Sequence, residues 1–183
     1  MNPFIPARHF KVGRIKPIQL IVIHSAETQE LAQTAKNVAH YFATTDVVAS
    51  AHFTVDADSI VQSVHLKDTA FHCRNANANG IGIEHAGRAI QTRDQWLDAY
   101  GLKMLDLSAR LCADLCRGYN IPASLAKFAG PDNPAVVRGG FCGHRDVPKH
   151  GSHSDPGPNF PWDWFLERVV FYLSQHENGR GLA

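Results

Sequence analysis

Residues 18–24, Ile-Gln-Leu-Ile-Val-Ile-His, constrain the fold more than any other stretch of the chain. The run is almost continuously apolar and rich in β-branched residues. It is expected as an inner strand covered on both faces, the pattern of a parallel sheet rather than of a half-solvated hairpin. Ile81-Gly82-Ile83-Glu84-His85 reads as a second inner strand. Between them, the segment 31–42 carries Leu31, Ala35, Val38, Ala39 and Phe42 at helical spacing. Residues 50–55 and 60–65 flank Asp56-Ala57-Asp58-Ser59, a turn-forming cluster, and predict a hairpin. The longest predicted helix covers 94–118, with Leu97, Tyr100, Met104, Leu107, Leu111 and Leu115 on one stripe; Gly118 and Pro122 supply its stop. A Gly/Pro loop at 129–133 precedes Val136-Val137, and a short strand is expected to end near His144. Pro161 and Trp162 open a last helix that turns Phe165, Val169 and Leu173 to the core. Strands alternating with helices, plus one hairpin, give an α/β fold with a mixed central sheet flanked by helices.

The 183 residues fit one compact domain, 1–183, with its core over about 18–175 and a polar, Gly-rich end at 178–183 as a frayed terminus or linker. Charge is balanced, 18 Lys and Arg against 17 Asp and Glu, with no basic block, so no nucleic-acid partner is expected. No apolar run is long enough to span a bilayer, and no membrane partner is expected. The opening Met1-Asn2-Pro3-Phe4-Ile5-Pro6 lacks the charged and apolar regions of a secretory signal, which implies synthesis in the cytoplasm or a domain of a longer chain. A monomer is the expected state. Four cysteines without a CxxC pair form neither a disulfide framework nor a cysteine zinc site. Cys112 and Cys116 lie one turn apart on the long helix, where they are expected to pack. Cys73 and Cys142 neighbour candidate site histidines and read as small buried hydrophobes or as reactive thiols.

Chemistry concentrates in Gly143-His144-Arg145-Asp146-Val147 and His153-Ser154-Asp155-Pro156-Gly157-Pro158. Imidazoles and carboxylates held between glycines and prolines suit a metal site on a stiff loop better than a packing segment. Upstream, His24 ends the apolar strand. His24, His144 and Asp155 together form a candidate three-ligand site for one Zn²⁺ with its fourth position open. Asp146, Cys142, His150 and His153 compete for the third place, and the residues alone leave that choice open. Glu84 lies inside an apolar strand, where an unpaired carboxylate is costly. A role as general base, accepting a proton from an attacking water, explains its presence. His153, two residues before Asp155, is placed to steady, when protonated, the oxyanion of a tetrahedral intermediate. Walker, G-x-G-x-x-G, H-E-x-x-H and G-x-S-x-G motifs are missing. Cys–His catalysis through Cys142 and His144, or through Cys73, would leave Glu84 and the Asp155 turn unexplained.

Six stretches occur in the order of a known family: Ile21-Val22-Ile23-His24, Ser50-Ala51-His52-Phe53, Ala70-Phe71-His72, Asn77 through Glu84, Gly143-His144-Arg145-Asp146, and Asp155-Pro156-Gly157-Pro158. Over about residues 18–175 the chain resembles the zinc N-acetylmuramoyl-L-alanine amidases, which include phage lysozyme-type amidases, bacterial cell-wall amidases and peptidoglycan recognition proteins. The resemblance implies His24, His144 and Asp155 as zinc ligands, Glu84 as the base, and His72 and Asn77 as groups lining a muropeptide groove. It implies a peptidoglycan or muropeptide substrate. Two departures stand out. Many members have Lys where this chain has His153, though some cell-wall amidases have His. Phage lysozyme-type members have Tyr where this chain has Ala51, so a mechanism through that hydroxyl is closed to it. The full ligand and base set favours an enzyme over a non-catalytic recognition protein. Substrate is expected in a groove bordered by the loop 74–80, with Asn75, Asn77 and Asn79 offering amides or simply forming turns. A phage endolysin is the first expectation for its setting, ahead of a cytoplasmic recycling amidase and a domain of an exported lysin.

Overall fold

The computed structural model describes residues 2–178, and all but Asn178 of the tail expected over 178–183 lies outside them. A five-stranded sheet forms the centre. Its strands are β2 (Leu20–Ser25), β3 (Phe53–Val55), β4 (Ile60–Gln62), β6 (Gly80–His85) and β9 (Gly140–Gly143), in the order β4-β3-β6-β2-β9. Only the β3–β4 hairpin is antiparallel; β3, β6, β2 and β9 run parallel. The mixed sheet and its flanking helices are those expected from the alternation of periods.

All six residues of β2 are buried, as a strand covered on both faces must be. Alternate residues serve different layers. Ile21 and Ile23 join Ile81, Ile83, Phe53 and Phe141 beneath α3 (Ala99–Tyr119) and α4 (Trp162–Asn178), where Met104, Cys112, Phe165 and Val169 complete the main core. On the opposite face, α1 (Thr34–Thr44) covers only the β3–β4 end, with Ala35 and Ala39 against Val61. Thr54 Oγ1 donates to Ala35 O at 2.8 Å, tying sheet to helix. The rest of that face, above β6, β2 and β9, is left to loops, and the functional groups gather there.

Several boundaries differ from the pattern reading. The first helix starts at Thr34 rather than Leu31, and the hairpin strands are three residues each. The long helix is two: α2 (Arg93–Trp96) and α3 meet where Asp98 accepts hydrogen bonds from Tyr100 N and Gly101 N and so starts a new helix. The predicted 129–133 loop is the turn of a hairpin, β7 (Lys127–Gly130) with β8 (Asn133–Arg138), set apart from the central sheet. A two-residue pair, β1 (Phe10–Lys11) with β5 (Thr69–Ala70), is too short to leave a periodic signal. All four cysteines are free and buried. No helix of the described residues is long and apolar enough to cross a membrane.

His52, fully buried just before β3, pins the sheet from this open face: Gly82 N donates to its Nδ1 at 3.0 Å. Burial, and then the Arg14 guanidinium, depress its pKa to about 3. The unfolded chain therefore binds more protons than the folded one between the ordinary value of 6.5 and about 3. The stability that His52 confers is complete above pH 6.5 and is lost as pH falls toward about 3, each unit of separation being worth about 1.4 kcal/mol. His52→Asn keeps an acceptor for Gly82 N but does not titrate. Its urea midpoint is expected to fall less than that of the wild type between pH 7 and pH 4, and equal falls would contradict this account.

Candidate active site and metal centre

Parallel register assembles the site. His24 pairs with Glu84 across β2–β6, and Ile23 pairs with Gly143 across β2–β9, which brings His144, the next residue, beside His24. The functional groups thus collect at the carboxyl ends of adjacent parallel strands, the usual place for sites in open α/β sheets. Asp155 arrives from the loop before α4. Arg145 N donates to Asp155 O at 3.0 Å, clasping that loop to the end of β9. Gly157 closes the turn at φ +96, and a Cβ on it would lie 1.9 Å from Ala89 O. Gly157→Ala is accordingly expected to cost on the order of 1–3 kcal/mol and to weaken metal binding by displacing Asp155. A thermal melt and zinc affinity equal to the wild type would refute the role given to this turn.

One ligand atom each from His24, His144 and Asp155 lie within 4.8 Å of one another, and all three residues are buried. Asp155 Oδ2 is 2.8 Å from His24 Nδ1, and Oδ1 is 3.4 Å from His144 Nδ1. Burial pushes the Asp155 carboxyl up, but the hydrogen bonds from His144 and His24 outweigh it and hold the group well below the usual carboxylate range. Burial lowers the pKa of His24. An ionised carboxylate beside an imidazole kept neutral is the protonation state that a metal requires, and two nitrogens with one oxygen suit Zn²⁺. The donor set therefore fits the ion.

The rivals for the third ligand place sit in different surroundings, and His150 Nδ1 is buried without a hydrogen-bond partner among the described residues. Asp146 Oδ2 accepts from Gly143 N at 2.8 Å. Burial pushes the Cys142 thiol well up, and that of its neighbour Cys73 to about 12. His153 lies at the rim, with 58% of its side chain exposed and its ring stacked on His144 at 3.9 Å between centroids. Burial, then the His144 charge, lower its pKa. His150 stands edge-on to His144 at 6.5 Å.

Glu84, half-buried, reaches the same cleft as the triad. Burial, then the carboxylates of Asp155 and Glu27, raise it to about 8. A dication held by Asp155 would oppose this rise by favouring the ionised form of Glu84. Glu27 was not foreseen. It adopts φ +55, and its Oε1 accepts from Ser25 Oγ at 2.7 Å and from Ala89 N at 2.8 Å, fixing a second carboxylate on the cleft wall. A glutamate in left-handed backbone carries no signal in a sequence pattern.

The cleft has a volume of about 760 Å³. It runs from His24, Glu84, His144 and Asp155 along the β2–α1 loop to Asn37 and Tyr41 of α1, with Ser50, Phe71 and His72 opposite. The expected border at 74–80 is absent from this lining, because each asparagine there is spent on the protein itself. Asn77 Oδ1 accepts from His72 N at 2.9 Å and Cys73 N at 2.7 Å, Asn75 Nδ2 donates to Pro148 O at 2.9 Å, and Asn79 Nδ2 donates to Gln19 Oε1 at 3.3 Å. Of the two residues expected in the groove, His72 lines it and Asn77 stands behind as the brace of its loop.

A family model for N-acetylmuramoyl-L-alanine amidase matches residues 14–158, a span that contains all these groups. N-acetylmuramoyl-L-alanine amidase A of Achromobacter lyticus is 35% identical over 137 residues, 70% of this chain and 73% of that protein. The fold matches a mutant endolysin from Bacillus subtilis with a TM-score of 0.64 at 21% identity, over 92% of this chain and 97% of that one. It matches the Staphylococcus aureus hydrolase AmiA with a TM-score of 0.68 at 14% identity, over 96% and 86%. The chain belongs to the N-acetylmuramoyl-L-alanine amidase family of peptidoglycan hydrolases.

Proposed function

We propose that this amidase is zinc-dependent and cleaves the amide between the lactyl group of N-acetylmuramic acid and the L-alanine of the stem peptide, in the setting of a phage endolysin. The observation that carries the reading is the convergence of His24, His144 and Asp155 on the floor of a cleft that Glu84 enters from the neighbouring strand. Residues 1–183 act as one catalytic domain and as a monomer. The likeness to an endolysin of Bacillus subtilis supports the setting.

His24, His144 and Asp155 hold the ion, which when bound supplies a Lewis acid for the scissile carbonyl and for the attacking water. Glu84 takes a proton from that water and passes it to the nitrogen of L-alanine as the C–N bond breaks, leaving a muramyl carboxylate and a free amine. His153 donates an N–H to the oxygen of the tetrahedral intermediate. Burial and the neighbouring His144 lower its pKa, a direction that favours the neutral ring. His72 and the walls formed by the β2–α1 loop and α1 position the glycopeptide, and Asn77 keeps His72 in place.

Elemental analysis of the purified protein is expected to find one zinc per chain, and a chain that takes up none overturns the reading. Kinetics on a soluble muropeptide test the His153 assignment. His153→Ala is expected to lower kcat about 10²-fold with KM little changed, and an unchanged kcat would remove His153 from the reaction. Faster release from intact wall than from soluble fragments supports the endolysin setting, and the reverse favours a recycling amidase.

A further inference from the structure

We propose that His72 is a positioning residue for the metal centre: its Nδ1 accepts the Nε2 proton of His24 and thereby keeps the Nδ1 lone pair of His24 on the metal. The inference rests on the zinc reading above and gives His72 a task beyond lining the groove. His24 Nδ1 faces Asp155, and its other nitrogen, Nε2, lies 3.1 Å from His72 Nδ1. The two rings meet edge-on at 5.3 Å and 86°. A neutral imidazole that gives its Nδ1 lone pair to a metal carries its one proton on Nε2. In a buried site that N–H needs an acceptor, and among the described residues His72 Nδ1 is the one within reach.

The fold holds His72 to this task from several sides. On the open face of β6 the alternate residues are Gly80, Gly82 and Glu84, so two missing side chains make a trough that runs up to the general base. The His72 ring occupies it. A Cβ on Gly82 would fall 2.4 Å from His72 Cγ, and one on Gly80 would fall 3.3 Å from Cε1. His52 closes the trough, edge-on to His72 at 5.7 Å, and Asn77 Oδ1 anchors the His72 main chain. Nothing competes for the tautomer of His72. Its Nε2 is buried without a hydrogen-bond partner among the described residues, which leaves the contact with His24 as the hydrogen bond of the ring. Outer partners of metal-bound histidines act in this manner, more often through a carboxylate or carbonyl than through a second imidazole.

Zinc affinity, measured by competition with a chromophoric chelator, tests the assignment without relying on activity. His72→Leu is expected to weaken zinc binding by about 10–100-fold. His72→Gln, whose amide oxygen accepts the same proton, is expected to recover most of that loss. Affinity of a folded His72→Leu within twofold of the wild type, or Gln no better than Leu, would overturn the proposal. Should His72→Leu fail to fold, the wild type answers alone. ¹⁵N NMR of the zinc-loaded protein is expected to show a slowly exchanging His24 Nε2–H close to the His72 ring, and an Nε2–H exchanging at the solvent rate overturns the proposal. A wild-type chain that takes up no zinc overturns the zinc reading and this inference together, whereas zinc held equally by wild type and His72→Leu overturns only the inference.

Discussion

Glu84→Gln is expected to lower kcat by about 10²–10⁴-fold while zinc binding and thermal stability hold. Glutamine matches the carboxylate in size, so β6 and its pairing with His24 are retained. What disappears is the ability to take and return a proton. Glu84 is suited to that exchange because burial and the neighbouring carboxylates raise its pKa to about 8. A dication held by Asp155, His24 and His144 would lower that value by favouring the carboxylate, and a general base works best with its pKa near the working pH. Parallel measurements of kcat on a soluble muropeptide and of zinc affinity separate the two roles. Turnover near that of the wild type would remove Glu84 as the base, and loss of zinc along with activity would place it among the ligands instead.

Asp155→Ala carries the second large effect. The carboxylate is the only anionic member of the triad and lies within 2.8 Å of His24 and 3.4 Å of His144. Its removal leaves two neutral imidazoles to hold a dication. Zinc affinity is expected to fall by more than the roughly 10–100-fold that loss of an outer partner costs, and amide hydrolysis with it. Because Arg145 N and the Gly157 turn hold the loop through main-chain contacts, the fold is expected to survive the substitution. Chelator competition with a circular-dichroism melt checks both halves. Undiminished zinc binding in Asp155→Ala would shift the third ligand to another group, and His153, with its Nδ1 3.7 Å from Asp155, is the next in space.

Much of this centre was legible in the residue order because it is built from regular elements. The apolar runs around Ile21 and Ile81 announce inner parallel strands, and parallel pairing in register then sets His24 beside Glu84 and His144. The Gly/Pro frame around Asp155 likewise announces a stiff turn. What escaped depends on contacts that leave no period. Asp98 looks like one more polar residue on a long helix until its carboxylate caps the second of two. Asn75, Asn77 and Asn79 read as amides for a ligand or as turn formers, and each meets a partner within the protein that the pattern does not name. The cleft wall formed by Asn37 and Tyr41 follows from where α1 lands on the sheet, which no local pattern encodes. His72 could be assigned to the groove by resemblance, but its contact with His24 exists only once the glycines of β6 open a trough beneath it.

Mass spectrometry of purified peptidoglycan digested by the zinc-loaded protein bears most directly on the central claim. Stem peptides beginning with a free L-alanine amino group are expected, and they should vanish when zinc is chelated and return when it is restored. A protein that holds zinc at His24, His144 and Asp155 yet releases no such peptides from wall or from soluble muropeptides would contradict the account.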